Sequence, residues 1–125
     1  MDLEMNVLAV DDFDFARRIF KNVLKELGIN NVTEAASGNA ALNELKKKDF
    51  GLIITDYNMP GMDGIELVRK IKADDKTKDI PVIMVTSDGK KSVMLEAAEA
   101  GICGFLGKPF TKEELSEKID KACSL

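Results

Sequence analysis

The sequence predicts an α/β fold in which five helices cover a doubly wound, five-stranded parallel sheet. Three observations lead there. Short apolar runs alternate with amphipathic segments along the 125-residue chain, the pattern of repeated strand–helix units. The runs at 52–55 and 82–85 are almost wholly apolar, as strands are when helices cover both faces of their sheet. Right-handed crossovers then make five units of this size an open sheet, since a closed barrel needs eight.

The elements follow in order. Val7-Leu8-Ala9-Val10 is the first strand and ends at Asp11-Asp12. Ala16, Ile19, Phe20, Val23, Leu24 and Leu27 recur at helical spacing, and Gly28 stops that helix. Residues 32–36 form a short strand. Ser37 caps a second helix with Ala41, Leu42 and Leu45 inward. The strand at 52–55 ends at Asp56, and residues 58–64, with one Pro and two Gly, form a loop. Asp63 and Glu66 fit a capping pair for a third helix that turns Ile65, Val68 and Ile71 to one side. Pro81 opens the fourth strand, where its missing N–H does little harm. That strand ends at Thr86. Val93, Met94, Ala97 and Ala98 stripe a fourth helix that stops at Gly101. Phe105-Leu106-Gly107 leads into Lys108-Pro109, and Thr111 with Glu114 makes the capping box of a fifth helix, Leu115, Ile119 and Ala122 inward.

Composition bounds the function. The chain is expected to be one domain over residues 1–125, with no internal repeat, low-complexity tract or linker. Its 45% hydrophobic and 32% charged residues are those of a soluble globular protein, and a net charge of −4 argues against nucleic acid as a partner. No apolar stretch reaches the ~18 residues of a membrane span. The opening Met1-Asp2-Leu3-Glu4-Met5 lacks a signal peptide's basic and apolar regions, so the expected location is the cytoplasm. Cys103 and Cys123, with no His in the chain, make a poor zinc site and read as ordinary small residues of a reducing compartment. Without His the chain has no His general base and cannot carry phosphohistidine; such a donor would be another molecule.

The polar strand ends carry the chemistry. In a sheet of order 2-1-3-4-5 the ligand crevice lies between strands 1 and 3, which end at Asp11-Asp12 and Asp56. Three carboxylates in one pocket repel each other, and the single charge of Lys108 does not balance them. A divalent cation does, and all-oxygen ligands favour Mg²⁺. Asp12 and Asp56 are the candidate direct ligands, with Asp11 holding a coordinated water. The competing role is capping of the first helix, which we assign to Asp14; one cap suffices, so the adjacent Asp11 and Asp12 are assigned to metal. A carboxylate such as Asp56, ending a buried strand, can attack a phosphorus atom. Lys108 and the Thr86 hydroxyl would then pair with the phosphoryl oxygens. Alone, Thr86 is a strand-end threonine and Lys108 a solvated lysine. Their positions at successive strand ends give them the site role.

The blocks Ala9-Val10-Asp11-Asp12-Phe13, Thr55-Asp56-Tyr57-Asn58-Met59-Pro60-Gly61-Met62-Asp63-Gly64, Val85-Thr86-Ser87 and Lys108-Pro109-Phe110 resemble the receiver domains of two-component signalling. The resemblance runs essentially end to end and is greatest to the single-domain chemotaxis regulators. Leu24-Lys25-Glu26-Leu27-Gly28 and Asn30-Asn31-Val32 are similar to their first helix and second strand. Chemotaxis receivers are themselves a standard example of the flavodoxin-like 2-1-3-4-5 order, so that order is not independent of the resemblance.

The resemblance implies that Asp56 accepts a phosphoryl group from a histidine kinase. It implies that Asp11, Asp12, Asp56 and the backbone carbonyl of Asn58 organise Mg²⁺, that Thr86 and Lys108 read the phosphoryl group, and that the Lys108–Pro109 peptide is cis. Phe105 falls at the family's aromatic switch position, where many chemotaxis members carry Tyr; Phe keeps the rotamer switch and loses the hydroxyl. Core packing is the alternative for Phe105, and both roles can coexist. Lys90, Lys91, Met94 and Lys118 are assigned to the output face of the fourth helix, fifth strand and fifth helix, with a merely solvated lysine face as the alternative. Asn58 and Asp88 are assigned to tuning the phosphoryl lifetime. The implied protein is a monomer that catalyses only its own phosphorylation and dephosphorylation. Its implied partners are the kinase, a flagellar motor switch protein and a phosphatase.

Other readings fit less well. A phosphate sink or relay receiver shares the same site, as does a receiver that is never phosphorylated. An aspartate-nucleophile phosphatase places D-x-D on its first strand; here Asp56 is on the third and is followed by Tyr57-Asn58. An FMN-binding flavodoxin needs a phosphate loop where Asp11, Asp12 and Asp14 would repel phosphate.

Overall fold

The computed structural model describes residues 2–123; Met1, Ser124 and Leu125, inside the expected 1–125 span, lie outside the described residues. The order is β1 (Val7–Val10), α1 (Asp14–Glu26), β2 (Val32–Ala35), α2 (Gly38–Lys47), β3 (Leu52–Thr55), α3 (Gly64–Ala73), β4 (Val82–Thr86), α4 (Lys91–Ala100), β5 (Gly104–Gly107) and α5 (Lys112–Cys123). All strand pairs are parallel, as the apolar runs predicted, and the sheet order is β2-β1-β3-β4-β5, as the resemblance implied.

The two-residue period of a strand divides the core. Leu8, Val10, Ile53 and Met84 point to one face, where Ile65, Val68 and Ile71 of α3 and Val93 and Ala97 of α4 meet them. Val7, Ala9, Ile54 and Val85 point to the other, against Phe20 and Leu24 of α1 and Leu115 and Ile119 of α5. Each fully buried aliphatic or aromatic side chain contributes about 1.5–3 kcal/mol. The central strands have no exposed face, which is why their sequences are nearly pure hydrocarbon.

The register places the functional ends level. Val10 pairs with both Ala35 and Thr55, Thr55 with Met84, and Thr86 with Gly107. Asp11, Asp56, Thr86 and Lys108 therefore leave the sheet along one edge.

Three helix starts match their sequence signals. Ser37 Oγ accepts from the Ala40 N–H at 3.0 Å. Asp63 Oδ1 accepts from the Glu66 N–H at 2.9 Å. The Thr111 hydroxyl accepts from the Glu114 N–H, and a Glu114 carboxylate oxygen accepts in return from the Thr111 N–H, a full capping box.

The start of α1 corrects the sequence reading. Asp14 is its first helical residue and Phe13 occupies the cap position without a side-chain cap bond. The Asp14 carboxylate turns along the helix to pair with Arg17, one turn on. The inward stripe of α1 is also shifted: Arg17, Phe20 and Leu24 are buried, while Ile19 is exposed. In α4 the buried residues are Val93 and Ala97, and Met94 and Ala98 face outward. The contact with the sheet is narrow there, so a rotation of ~100° per residue carries the neighbours of each buried position to solvent.

Candidate functional site

Asp11 follows β1 and is fully buried. Its Oδ1 accepts from the Phe13 N–H at 3.0 Å and its Oδ2 from Lys108 Nζ at 2.8 Å. Asp56 follows β3 and is 6% exposed. Its Oδ1 accepts from the Tyr57 N–H at 2.7 Å, and its Oδ2 lies 3.8 Å from Lys108 Nζ. Asp11, Asp12 and Asp56 each offer an oxygen, and these atoms lie within 4.8 Å of one another.

One ammonium therefore meets two of the three clustered carboxylates. Lys108 arrives from the loop after β5, its N–H bonded to the Thr86 carbonyl and its peptide to Pro109 cis. Its ammonium also lies 5.6 Å from the centre of the Phe20 ring, which stacks on Phe110. Burial pushes the Asp56 carboxyl above its ordinary value; Lys108, then the Thr86 hydroxyl, oppose that shift and Asp11 adds to it. Oδ1 of Asp12 is buried with no hydrogen-bond partner. A buried carboxylate oxygen without a donor, beside two more carboxylates, fits a hard cation with oxygen ligands.

Thr86, at the end of β4, is fully buried. Its hydroxyl accepts from the Asp88 N–H at 3.2 Å, and Asp88 Oδ1 accepts from the Lys90 N–H at 3.3 Å. Lys90 is the cap residue of α4, and its carbonyl takes the first bonds of that helix from Val93 and Met94. A continuous chain of hydrogen bonds thus joins the site to α4. Phe105, opposite Met84 in the register, is half-buried against the core beneath α3 and α4. Lys90, Lys91 and Met94 are exposed on α4, and the Lys118 stem crosses Gly104 of β5. Asn58 is exposed in the loop two residues after Asp56.

Sequence reasoning missed Arg17. It is buried, donates to the Asp11 carbonyl at 2.5 Å and to Glu34 at 3.1 Å, and pairs with Asp14. It therefore ties the turn that carries Asp11 and Asp12 to both α1 and β2. The signal was its spacing, since Arg17, Phe20 and Leu24 fall on one helical face. Also unforeseen is an apolar groove of about 470 Å³ beside Lys108, lined by Phe15, Ala16, Ile19, Phe20, Pro109 and Phe110. Phe15 lines it and is 71% exposed, and Phe13, whose N–H bonds to Asp11, is 65% exposed.

The response regulator receiver domain family model matches residues 7–120. The chain belongs to this family. The receiver is 50% identical over 121 residues to chemotaxis protein CheY-3 of Vibrio cholerae, covering 97% of this chain and 93% of that protein. It is 49% identical over 117 residues to chemotaxis protein CheY of Pseudomonas aeruginosa, covering 94% of each. The solved structure of Vibrio cholerae chemotaxis protein CheY4 superposes with a TM-score of 0.88 at 34% identity, covering 95% of this receiver and 98% of that chain. A response regulator receiver domain protein from Clostridium thermocellum superposes with a TM-score of 0.86 at 29% identity, covering 96% and 94%. The receiver is thus closely related to the CheY chemotaxis proteins. No helix among its described residues is long and apolar enough to cross a membrane.

Proposed function

We propose that this receiver is a phosphorylation-activated chemotaxis regulator, with Asp56 as its phosphoacceptor and Mg²⁺ as its cofactor. The observation that carries this reading is the convergence of Asp11, Asp12 and Asp56 within 4.8 Å, with the Lys108 ammonium against two of them. A Mg²⁺ ion held by Asp11, Asp12, Asp56 and the Asn58 carbonyl would neutralise charge as the phosphoryl group arrives.

The protein's own groups do the rest. The Tyr57 N–H fixes one Asp56 oxygen and so sets the direction of the carboxylate. An Asp56 oxygen forms the new bond to phosphorus, the bond from phosphorus to the donor breaks, and its electron pair leaves with the donor. Lys108 pairs with a phosphoryl oxygen, and the Thr86 hydroxyl donates to another. Asn58 and Asp88 stand two residues past Asp56 and Thr86 and set access of the hydrolytic water.

The donor is a histidine kinase. The exposed Phe13 and Phe15 and the adjoining groove give a protein donor an apolar surface beside the acceptor. Output follows the hydrogen-bond chain from Thr86 through Asp88 to the start of α4. Movement of Thr86 toward the phosphoryl group favours the inward rotamer of Phe105 and reshapes the face bearing Lys90, Lys91, Met94 and Lys118, which binds a flagellar motor switch protein. The similarity to chemotaxis proteins over nearly the whole chain favours the motor over a phosphate-sink or relay role.

The test is incubation with acetyl phosphate followed by intact mass measurement. One phosphoryl group is expected with Mg²⁺ and none after excess chelator. Labelling that is indifferent to chelator would overturn the metal's role; no labelling with Mg²⁺ present would overturn the receiver's activity.

A further inference from the structure

At the end of the sheet opposite Asp56, the C-terminal ends of α2 and α3 border an open groove of about 1030 Å³. Its floor is apolar: Leu42, Leu45 and Ile80 are half-buried and pack on the core. Its rim is basic. Five lysines line it against two aspartates, in a chain whose net charge is −4. Lys47 pairs with Glu44 at 3.3 Å, and Lys48 lies over the Phe50 ring. Lys46, Lys70 and Lys76 line the groove with no carboxylate within 4.0 Å among the described residues.

We propose that this groove docks an acidic, amphipathic helix of a partner protein. Lysines in the last turns of helices stabilise the helix dipoles, which accounts for Lys46 and Lys70. It does not account for Lys76, which lies beyond the end of α3, or for the apolar floor between the rows. A compact anion such as phosphate is a poor occupant, because both helices present their carbonyl ends here and anions prefer the opposite end. The groove is also open along its length instead of enclosing its occupant, as small-ligand pockets do. A helix ~10–12 Å across can lay leucines on the floor and place glutamates against the lysines on both sides. The site is remote from Asp56, so it stands or falls independently of the phosphoryl chemistry.

The test is a titration of the full chain, followed by ¹H–¹⁵N NMR, with a synthetic helical peptide bearing a stripe of Leu flanked on both sides by Glu. Amide shifts confined to residues 42–49 and 70–80 are expected. Binding should weaken by at least about tenfold in Lys46→Glu/Lys70→Glu/Lys76→Glu, with a smaller loss in the corresponding triple glutamine variant. Both variants should keep the parent's dispersed ¹H–¹⁵N spectrum outside the groove, which certifies their folding. The proposal is overturned by no shifts in the groove, by equal binding of a scrambled peptide of the same composition, or by affinity unchanged in the charge-reversed variant. It is equally overturned if inorganic tripolyphosphate binds the same residues as tightly as the peptide, which would make the groove a plain anion site.

Discussion

Gly64→Ala tests how closely the phosphoacceptor loop is fitted to α3. A Cβ built at Gly64 falls 2.2 Å from the Asp56 carbonyl oxygen and 2.9 Å from Tyr57 Cα. Both obstacles are main chain, so no side-chain rotation relieves them. Normal contact requires the start of α3 and the Asp56–Tyr57 peptide to part by roughly 1 Å. That movement also stretches the bond from the Gly64 N–H to the Tyr57 carbonyl, now 2.9 Å. Overpacking costs about 1–3 kcal/mol and a weakened hydrogen bond about 1 kcal/mol. Alanine's better helix propensity returns at most ~1 kcal/mol, leaving a net loss of about 1–3 kcal/mol. Displacing a reacting group by ~1 Å can cost on the order of 10²-fold in rate, so acetyl phosphate labelling should slow by a similar factor. Gly89 is the control: a Cβ there meets nothing within 4 Å, and Gly89→Ala should stay within about 0.5 kcal/mol of the parent. Urea unfolding by circular dichroism gives the stabilities and timed mass spectra the rates. Gly64→Ala with parental stability and a parental rate would refute the reasoning.

The other expectations concern the carboxylates and their support. Mg²⁺ should raise the unfolding free energy by about 1.4 kcal/mol at ten times its dissociation constant; in thermal melts Asp12→Asn should lose most of this shift, and a full shift in the variant would remove Asp12 from the ligand set. Because burial raises the Asp56 carboxyl in the fold, its protonation favours the folded state. That contribution is complete below the ordinary carboxylate value and is lost as pH rises through the raised one. In metal-free buffer Asp56→Asn should therefore be more stable than the parent at pH 7, with the difference shrinking as pH falls; urea titrations at several pH values that show a constant or reversed gap would contradict this. Arg17→Met should cost about 1–3 kcal/mol through the Asp11 carbonyl that loses its charged donor, with little from the exposed Asp14 partner. Unfolding midpoints check it, and an unchanged midpoint would mean that Arg17 does not brace the turn.

What the sequence revealed, and what it hid, follows from the physics of each element. The central strands were legible because full burial leaves only hydrocarbon in them, and the polar residue ending each run marked the site edge. The starts of α2, α3 and α5 were legible because Ser37, Asp63 and the Thr111–Glu114 pair use local hydrogen bonds. Asp14 was misread because three acids near one helix start compete for the same role, and its partner, Arg17, is set by a tertiary pocket. Ile19 and Met94 were counted in the apolar stripes of their helices because hydrophobicity was read without knowing the width of each helix contact; in the fold both are exposed, as the output-face assignment of Met94 requires. The lysines around the groove between α2 and α3 were invisible as a group, since Lys46 and Lys76 meet only through the crossover of β3 and β4.

The central claim is that Asp56 carries the phosphoryl group, and borohydride trapping reads this directly. Borohydride reduces an aspartyl acyl phosphate to homoserine, and peptide mapping locates it. After treatment with acetyl phosphate and Mg²⁺, the account predicts homoserine at position 56 and at no other aspartate. Homoserine at Asp11 or Asp12, or a phosphoryl group that persists in Asp56→Asn, would contradict it.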